Sequence, residues 1–249
     1  MIPITAEPKV VEKKESYAKF EIDSLYPGYG ITLGNALRRV LLSSLEGAAI
    51  TEVNIKGASH EFSTIDGVLE DTVTIILNLK QLRFRLLTDE PQTATLKVKG
   101  EKEVKGKDFD LPSQVELVNK EAHIATLTKK GAEFELEIKV EKGTGYRGVE
   151  TSKKGERLEI GTIKIDAIFT PIKRVSFNVE NMRVGERTDF DRLFIEVETD
   201  GTITPEQAMH GASDTLVKHF SLIADTFKLE EIKEVKEEKN EKKKKGKKV

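Results

Sequence analysis

Residues 33–45 read LGNALRRVLLSSL, and their period decides the fold class. Leu33, Leu37, Val40, Leu41 and Ser44 fall at i, i+4, i+7, i+8 and i+11, which is one stripe of a helix, whereas Arg38, Arg39, Ser43 and Glu46 lie off it. The helix stands out because the chain around it alternates with a period of two. Strand-like runs occupy residues 18–22 (AKFEI), 50–55 (ITEVNI), 93–98 (TATLKV), 133–140 (EFELEIKV) and 193–197 (LFIEV). A longer pair, 157–169 and 174–179, flanks Thr170-Pro171. Two further segments carry helical spacing. Residues 68–80 place Leu69, Thr72, Val73, Ile76 and Leu79 together, against the preference of their β-branched side chains. The last helix opens on Thr204-Pro205-Glu206-Gln207, with an N-cap Thr, a Pro at the first helical position and a Gln that closes a capping box. Ala212, Leu216, Phe220, Ile223 and Phe227 then recur every three or four residues. Rising 1.5 Å per residue, the roughly 23 residues from Pro205 to Phe227 span about 35 Å, more than one small core needs. The expected class is α+β, mostly strand, with two units in 249 residues.

Composition narrows the function classes. With 37% hydrophobic and 34% charged residues the chain has enough aliphatics for cores under a well-solvated surface. It contains no Cys, which removes disulfides, thiolate metal sites and cysteine nucleophiles. Its first residues, MIPITAEPKVVEKKE, lack an apolar signal region, and no run of some 18 apolar residues occurs, so a cytoplasmic protein without a membrane span is expected. The net charge of -2 is uneven. Residues 228–249 hold ten Lys and six Glu, so the tail is basic and the body acidic. An acidic body excludes a general nucleic-acid binder and leaves DNA contact to the Lys-rich end. The tail has only three aliphatics, Leu229, Ile232 and Val235, before its last residue and too little to bury, so disorder is expected there.

No catalytic constellation emerges. In residues 28–34, GYGITLG, the third glycine stands one place late for G-x-G-x-x-G, and Tyr26-Pro27 precedes it where a strand belongs. A turn that uses glycine's freedom before a helix is the simpler reading. Asp189 and Asp191 alternate as metal-binding carboxylates do, yet a third is missing and a turn with self-capping side chains fits better. His60, His123, His210 and His219 have no metal spacing, and no G-x-S-x-G occurs. Arg38 and Arg39 are different. They are adjacent guanidinium groups on the polar side of a helix with no acidic partner close in sequence, and the planar fork of arginine favours interface hydrogen bonding.

Residues 28–82, GYGITLGNALRRVLLSSLEGAAITEVNIKGASHEFSTIDGVLEDTVTIILNLKQL, resemble the alpha subunits of bacterial DNA-directed RNA polymerase. The likeness continues through GTGY at 143–146 and the long run at 163–209. It implies a discontinuous dimerisation domain from residues 1–46 and 172–227, a mostly β domain inserted at 47–171, and the charged tail 228–249. It also implies a homodimer in which Leu33, Leu37, Val40, Leu41, Leu216, Phe220, Ile223 and Phe227 form the interface. Arg38 and Arg39 with His60, Glu61, Asp66 and Gly67 would meet the beta subunit, and Lys80, Pro171, Lys173 and Arg174 the beta-prime subunit. The chain itself would hold no catalytic residue, cofactor or metal, the Mg²⁺ being expected in beta-prime. It would work at the nucleoid and touch DNA through the assembled enzyme or weakly through its tail. Members of the family continue into a DNA-binding domain, in whose place the Glu/Lys tail stands here. Two other classes are weighed against this scaffold. An enzyme using residues 28–34 with Asp189 and Asp191 predicts stabilisation by nucleotide or Mg²⁺. A free-standing basic-tailed DNA-binding dimer predicts binding to duplex alone.

Overall fold

The computed structural model describes residues 7–58, 60–149 and 161–245, of which 228–245 are described by backbone only. Residues 157–160, the start of one anticipated strand, and 246–249 of the tail lie outside the described residues. In chain order the elements are β1 (Lys9–Lys13), β2 (Tyr17–Leu25), α1 (Tyr29–Ser43), β3 (Glu46–Ile55), α2 (Thr72–Leu79), β4 (Phe84–Leu86) and β5 (Gln92–Lys99). There follow β6 (Lys102–Lys105), β7 (Phe109–Asp110), β8 (Val115–Leu117), β9 (His123–Leu127), β10 (Glu133–Thr144), β11 (Tyr146–Arg147), β12 (Thr162–Lys164) and β13 (Ala167–Ile168). The chain closes with β14 (Ile172–Val184), β15 (Arg187–Thr199) and α3 (Pro205–Lys245). The class is α+β.

Two cores organise these elements. An antiparallel sheet in the order β1-β2-β15-β14 carries α1 and α3 on one face. Alternation decides that face: Ala18 and Phe20 on β2, with Leu193, Ile195 and Val197 on β15, all point inward to Leu37 and Leu41 of α1 and Ala208 and Ala212 of α3. The second sheet runs β7-β5-β10-β3-β4-β8, with β12 also paired to β3. Its core gathers Val53, Ile75, Leu79, Leu96, Ile124, Phe134 and Ile138 from strands and α2. This unit is inserted between α1 and β14, so the first sheet is assembled from the two ends of the chain.

The helix termini depart from the periodicity in instructive ways. Helix α1 begins at Tyr29, four residues before its apolar stripe, because Gly30 and Gly34 form part of its buried side. A Cβ on Gly34 would stand 2.6 Å from the Phe177 ring and one on Gly30 would stand 2.7 Å from Val179, so both glycines are there to let the helix lie close on β14. Only Gly28, at φ +85, supplies the unusual turn conformation anticipated for the whole glycine run. We expect Gly34→Val to destabilise the protein by about 2–3 kcal/mol through overpacking against Phe177. An unchanged midpoint in urea titration would remove the close-approach explanation. Helix α2 begins at Thr72 and not at residue 68, since Asp71 Oδ1 accepts the Thr74 N–H at 2.8 Å and caps it there. Residues before the cap are held in extended pairing instead, Val68 bridging to Leu127 and Leu69 N donating to Thr126 O.

At α3 the capping box forms as spaced: Thr204 N donates to Gln207 Oε1 at 2.9 Å and Gln207 N to Thr204 Oγ1 at 3.2 Å. The helix does not stop with its apolar stripe at Phe227, and its backbone continues to Lys245 where the sequence led to an expectation of disorder. Lys and Glu are strong helix formers, and no Gly or Pro interrupts those positions. Among the described residues no helix is long and apolar enough to cross a membrane.

Candidate functional site

The surfaces with most to offer a partner are built on α1, α3 and the loop between β3 and α2. On α3, burial falls away along the helix. Ala208 and Ala212 are fully buried and Leu216 half-buried, whereas every residue from Val217 to Phe227 is exposed. Phe220 and Phe227 are 63% and 61% exposed, and Val217, Leu222 and Ile223 each by more than half. This helix leaves its own sheet and keeps a contiguous run of apolar side chains in water, a feature of surfaces that bind partners. Of the interface residues anticipated from sequence, Phe220, Ile223 and Phe227 therefore stand outward. Leu37 and Leu41 do not, because they are committed to their own core, and Leu33, Val40 and Leu216 pack at its margin. Helical period alone assigns these to one stripe on each of two helices, and only the sheet beneath the helices separates core from surface.

Arg38 and Arg39 are exposed on α1, and neither forms an ion pair with a described residue. The loop of residues 56–71 lies in the other unit, leaving the far end of β3, so the structure does not gather it with Arg38 and Arg39 into one cluster. Within the loop His60 and Glu61 are exposed, His60 Nδ1 lying 3.3 Å from Ser63 Oγ. Asp66 is exposed and paired with Lys129, a hydrogen bond that holds its carboxyl below the usual range. Gly67 is buried at φ +79 against Ala132. Glu70 anchors the loop. Burial pushes its carboxyl up, but the hydrogen bonds from the Thr126 N–H and from His123 outweigh that and leave it lowered. The pinned loop holds out Phe62 and Leu69, 74% and 71% exposed, the first absent from the sequence reading and the second placed there on the apolar stripe of a helix. An apolar side chain set among the polar residues of HEFST was the available signal.

Lys80 caps the end of α2, with Nζ 3.8 Å from Asp166 Oδ2. Lys173 and Arg174 are exposed at the start of β14, Arg174 Nε lying 3.4 Å from Glu198. Pro171 is buried within the chain, and its carbonyl accepts the Asp200 N–H. The acidic pair is also accounted for. Asp191 is buried and its Oδ2 accepts N–H groups from both Gly28 and Gly30 at 2.9 Å, fastening the start of α1 to β15. Asp189 is exposed and held by Arg187. The two carboxylates serve different neighbours and do not converge on a shared site.

Comparison with known proteins follows the same division. Residues 53–170, nearly the whole inserted unit, match the RNA polymerase Rpb3/RpoA insert domain family. The DNA-directed RNA polymerase subunit alpha of Roseiflexus castenholzii is 49% identical over 221 residues, covering 89% of this chain and 68% of that protein. The chain belongs to the RNA polymerase alpha subunit family. Other alpha subunits agree, that of Symbiobacterium thermophilum at 47% over 91% of this chain and 72% of its own. The alpha subunit of Oceanobacillus iheyensis is 46% identical over 85% of this chain and 67% of its own. The family likeness thus spans the four-stranded sheet and its helices as well as the inserted unit.

Proposed function

We propose that this chain forms a homodimer that scaffolds assembly of the beta and beta-prime subunits of DNA-dependent RNA polymerase. The observation that carries this reading is the apolar stripe of α3, left in water from Val217 to Phe227 in a single copy of the chain. A two-fold axis lets two such stripes cover each other. Residues 1–46 and 172–227 then serve dimerisation and 47–171 form the inserted part. Arg38 and Arg39, with His60 and Glu61, face beta, and Lys80, Lys173 and Arg174 face beta-prime. Nucleotidyl transfer and its Mg²⁺ belong to the large subunits, and this chain supplies position without cofactor or catalytic group. The assembly works in the cytoplasm, at the nucleoid.

Arg39 is the residue on which capture of beta depends most. An exposed guanidinium with no ion-pair partner among the described residues fits a contact completed by another subunit. Arg39→Ala is expected to weaken binding of beta by roughly thirtyfold while leaving the dimer intact. Co-purification of tagged chain with the large subunits, followed by sedimentation of the chain alone, measures both. Capture of beta at wild-type strength, or loss of the dimer, would refute the assignment.

A further inference from the structure

The two apolar cores share no residue, and domains that meet without a large apolar interface move relative to one another by default. Yet the turn at residues 200–202, which joins β15 to α3, is held from the inserted unit. Arg85 on β4 donates from Nε to Thr202 O at 2.8 Å and from Nη2 to Gly201 O at 3.5 Å, while Nη1 donates to Glu116 Oε2 on β8 at 2.9 Å. Arg83, just before β4, sets its Nε 3.6 Å from Asp200 Oδ2 and is itself steadied by bonds from Nη1 to Lys80 O and Leu82 O. The turn that receives them is preorganised. Asp200 Oδ1 accepts the Thr202 N–H at 2.9 Å and the Thr202 hydroxyl at 2.6 Å, and Asp200 N donates to Pro171 O. Gly201 takes φ +94, and a Cβ there would approach Val118 of the inserted unit at 3.3 Å. Beside this contact lies a cleft of about 170 Å³ between Ala48, Phe84, Leu86 and Ile203, where apolar packing between the units is incomplete.

We propose that Arg83 and Arg85 form an interdomain latch that fixes the turn leading into α3 against the inserted unit and so sets the angle between the two halves of the molecule. Arginine suits the task because one planar fork spans two successive carbonyls and a carboxylate at once, which the single ammonium of lysine does not. The latch links the helix that carries the outward apolar stripe to the unit that carries the loop with Phe62 and Leu69. It depends on no assumption about what covers either surface.

Hydrogen exchange and small-angle X-ray scattering on the full chain test the latch. Arg85→Ala is expected to accelerate exchange at residues 200–206 by about ten- to a hundredfold, the effect of losing hydrogen bonds to a charged donor. It should also broaden the distribution of interdomain distances. Protection within β10 and β15 should persist, showing that both cores remain folded. Arg85→Lys keeps a cation for Glu116 but loses the fork, and is expected to reproduce most of the effect. Glu116→Ala breaks only the pair inside the inserted unit and is expected to leave residues 200–206 protected. Unchanged exchange at that turn in Arg85→Ala and Arg85→Lys would overturn the proposal, as would an equal effect from Glu116→Ala.

Discussion

Phe220→Asp is expected to give a monomer that keeps its fold. The side chain is 63% exposed in the single chain, so a carboxylate there meets water and costs the isolated subunit little. In the proposed dimer the same position is covered by a second α3, and each association then buries two uncompensated charges. Burying even one unpaired charge costs several kcal/mol, so we expect the dimer dissociation constant to rise at least a thousandfold. Sedimentation velocity at micromolar concentration measures it, with far-ultraviolet circular dichroism to show that helix and strand content is kept. A persistent dimer would move the interface away from this stripe. Leu41→Asp makes the opposite prediction. Leu41 is fully buried in its own core, so the charge should unfold the domain and cannot be used to probe association.

The second large effect concerns Asp191. Its carboxylate is the acceptor for two backbone N–H groups at the start of α1, one of them on buried Gly30, and it places negative charge where the helix dipole favours it. Asp191→Ala leaves those donors unpaired and should cost about 3 kcal/mol. Asp191→Asn keeps an acceptor oxygen and should cost about half as much. Asp189→Ala, two residues away, removes only an exposed pair with Arg187 and should leave the urea midpoint in place. If the two alanine variants proved equally stable, the anchoring role would fail. In sequence the alternating Asp-x-Asp pattern resembles a metal signature. In a strand residues i and i+2 share a face, so alternation does not separate the pair: Asp191 meets the start of α1, whereas Asp189 lies in the exposed first residues of β15 beside Arg187.

The glycines of residues 28–34 show where legibility ended. Their number was visible in the sequence, and their freedom in a turn accounts for Gly28. The need for Gly30 and Gly34 comes from Phe177 and Val179, some 140 residues away, which no local window can register. The α2 start was misplaced for a related reason. Val68 and Leu69 have helical spacing to Thr72 and Ile76, but their backbone is drawn into pairing with β9, and tertiary hydrogen bonding outweighed local periodicity. Strands with a solvated face, such as β2, β5, β10 and β15, were legible because one side must be polar. Short strands such as β4, β7 and β8 were not, since two or three residues carry no period.

By itself, then, the sequence determined the α+β class, the two helices that flank the inserted strands, the capping box at Thr204, and, by resemblance, the alpha-subunit family. These rest on local chemistry: side-chain period, cap geometry and composition act within a few residues. The tertiary structure decided which apolar residues are spare. Leu41 and Phe220 look alike as members of helical stripes, yet the four-stranded sheet buries the first and ends before it reaches the second. Whether an apolar side chain is core or contact surface depends on what lies across from it, and that is fixed only when the two ends of the chain meet in one sheet.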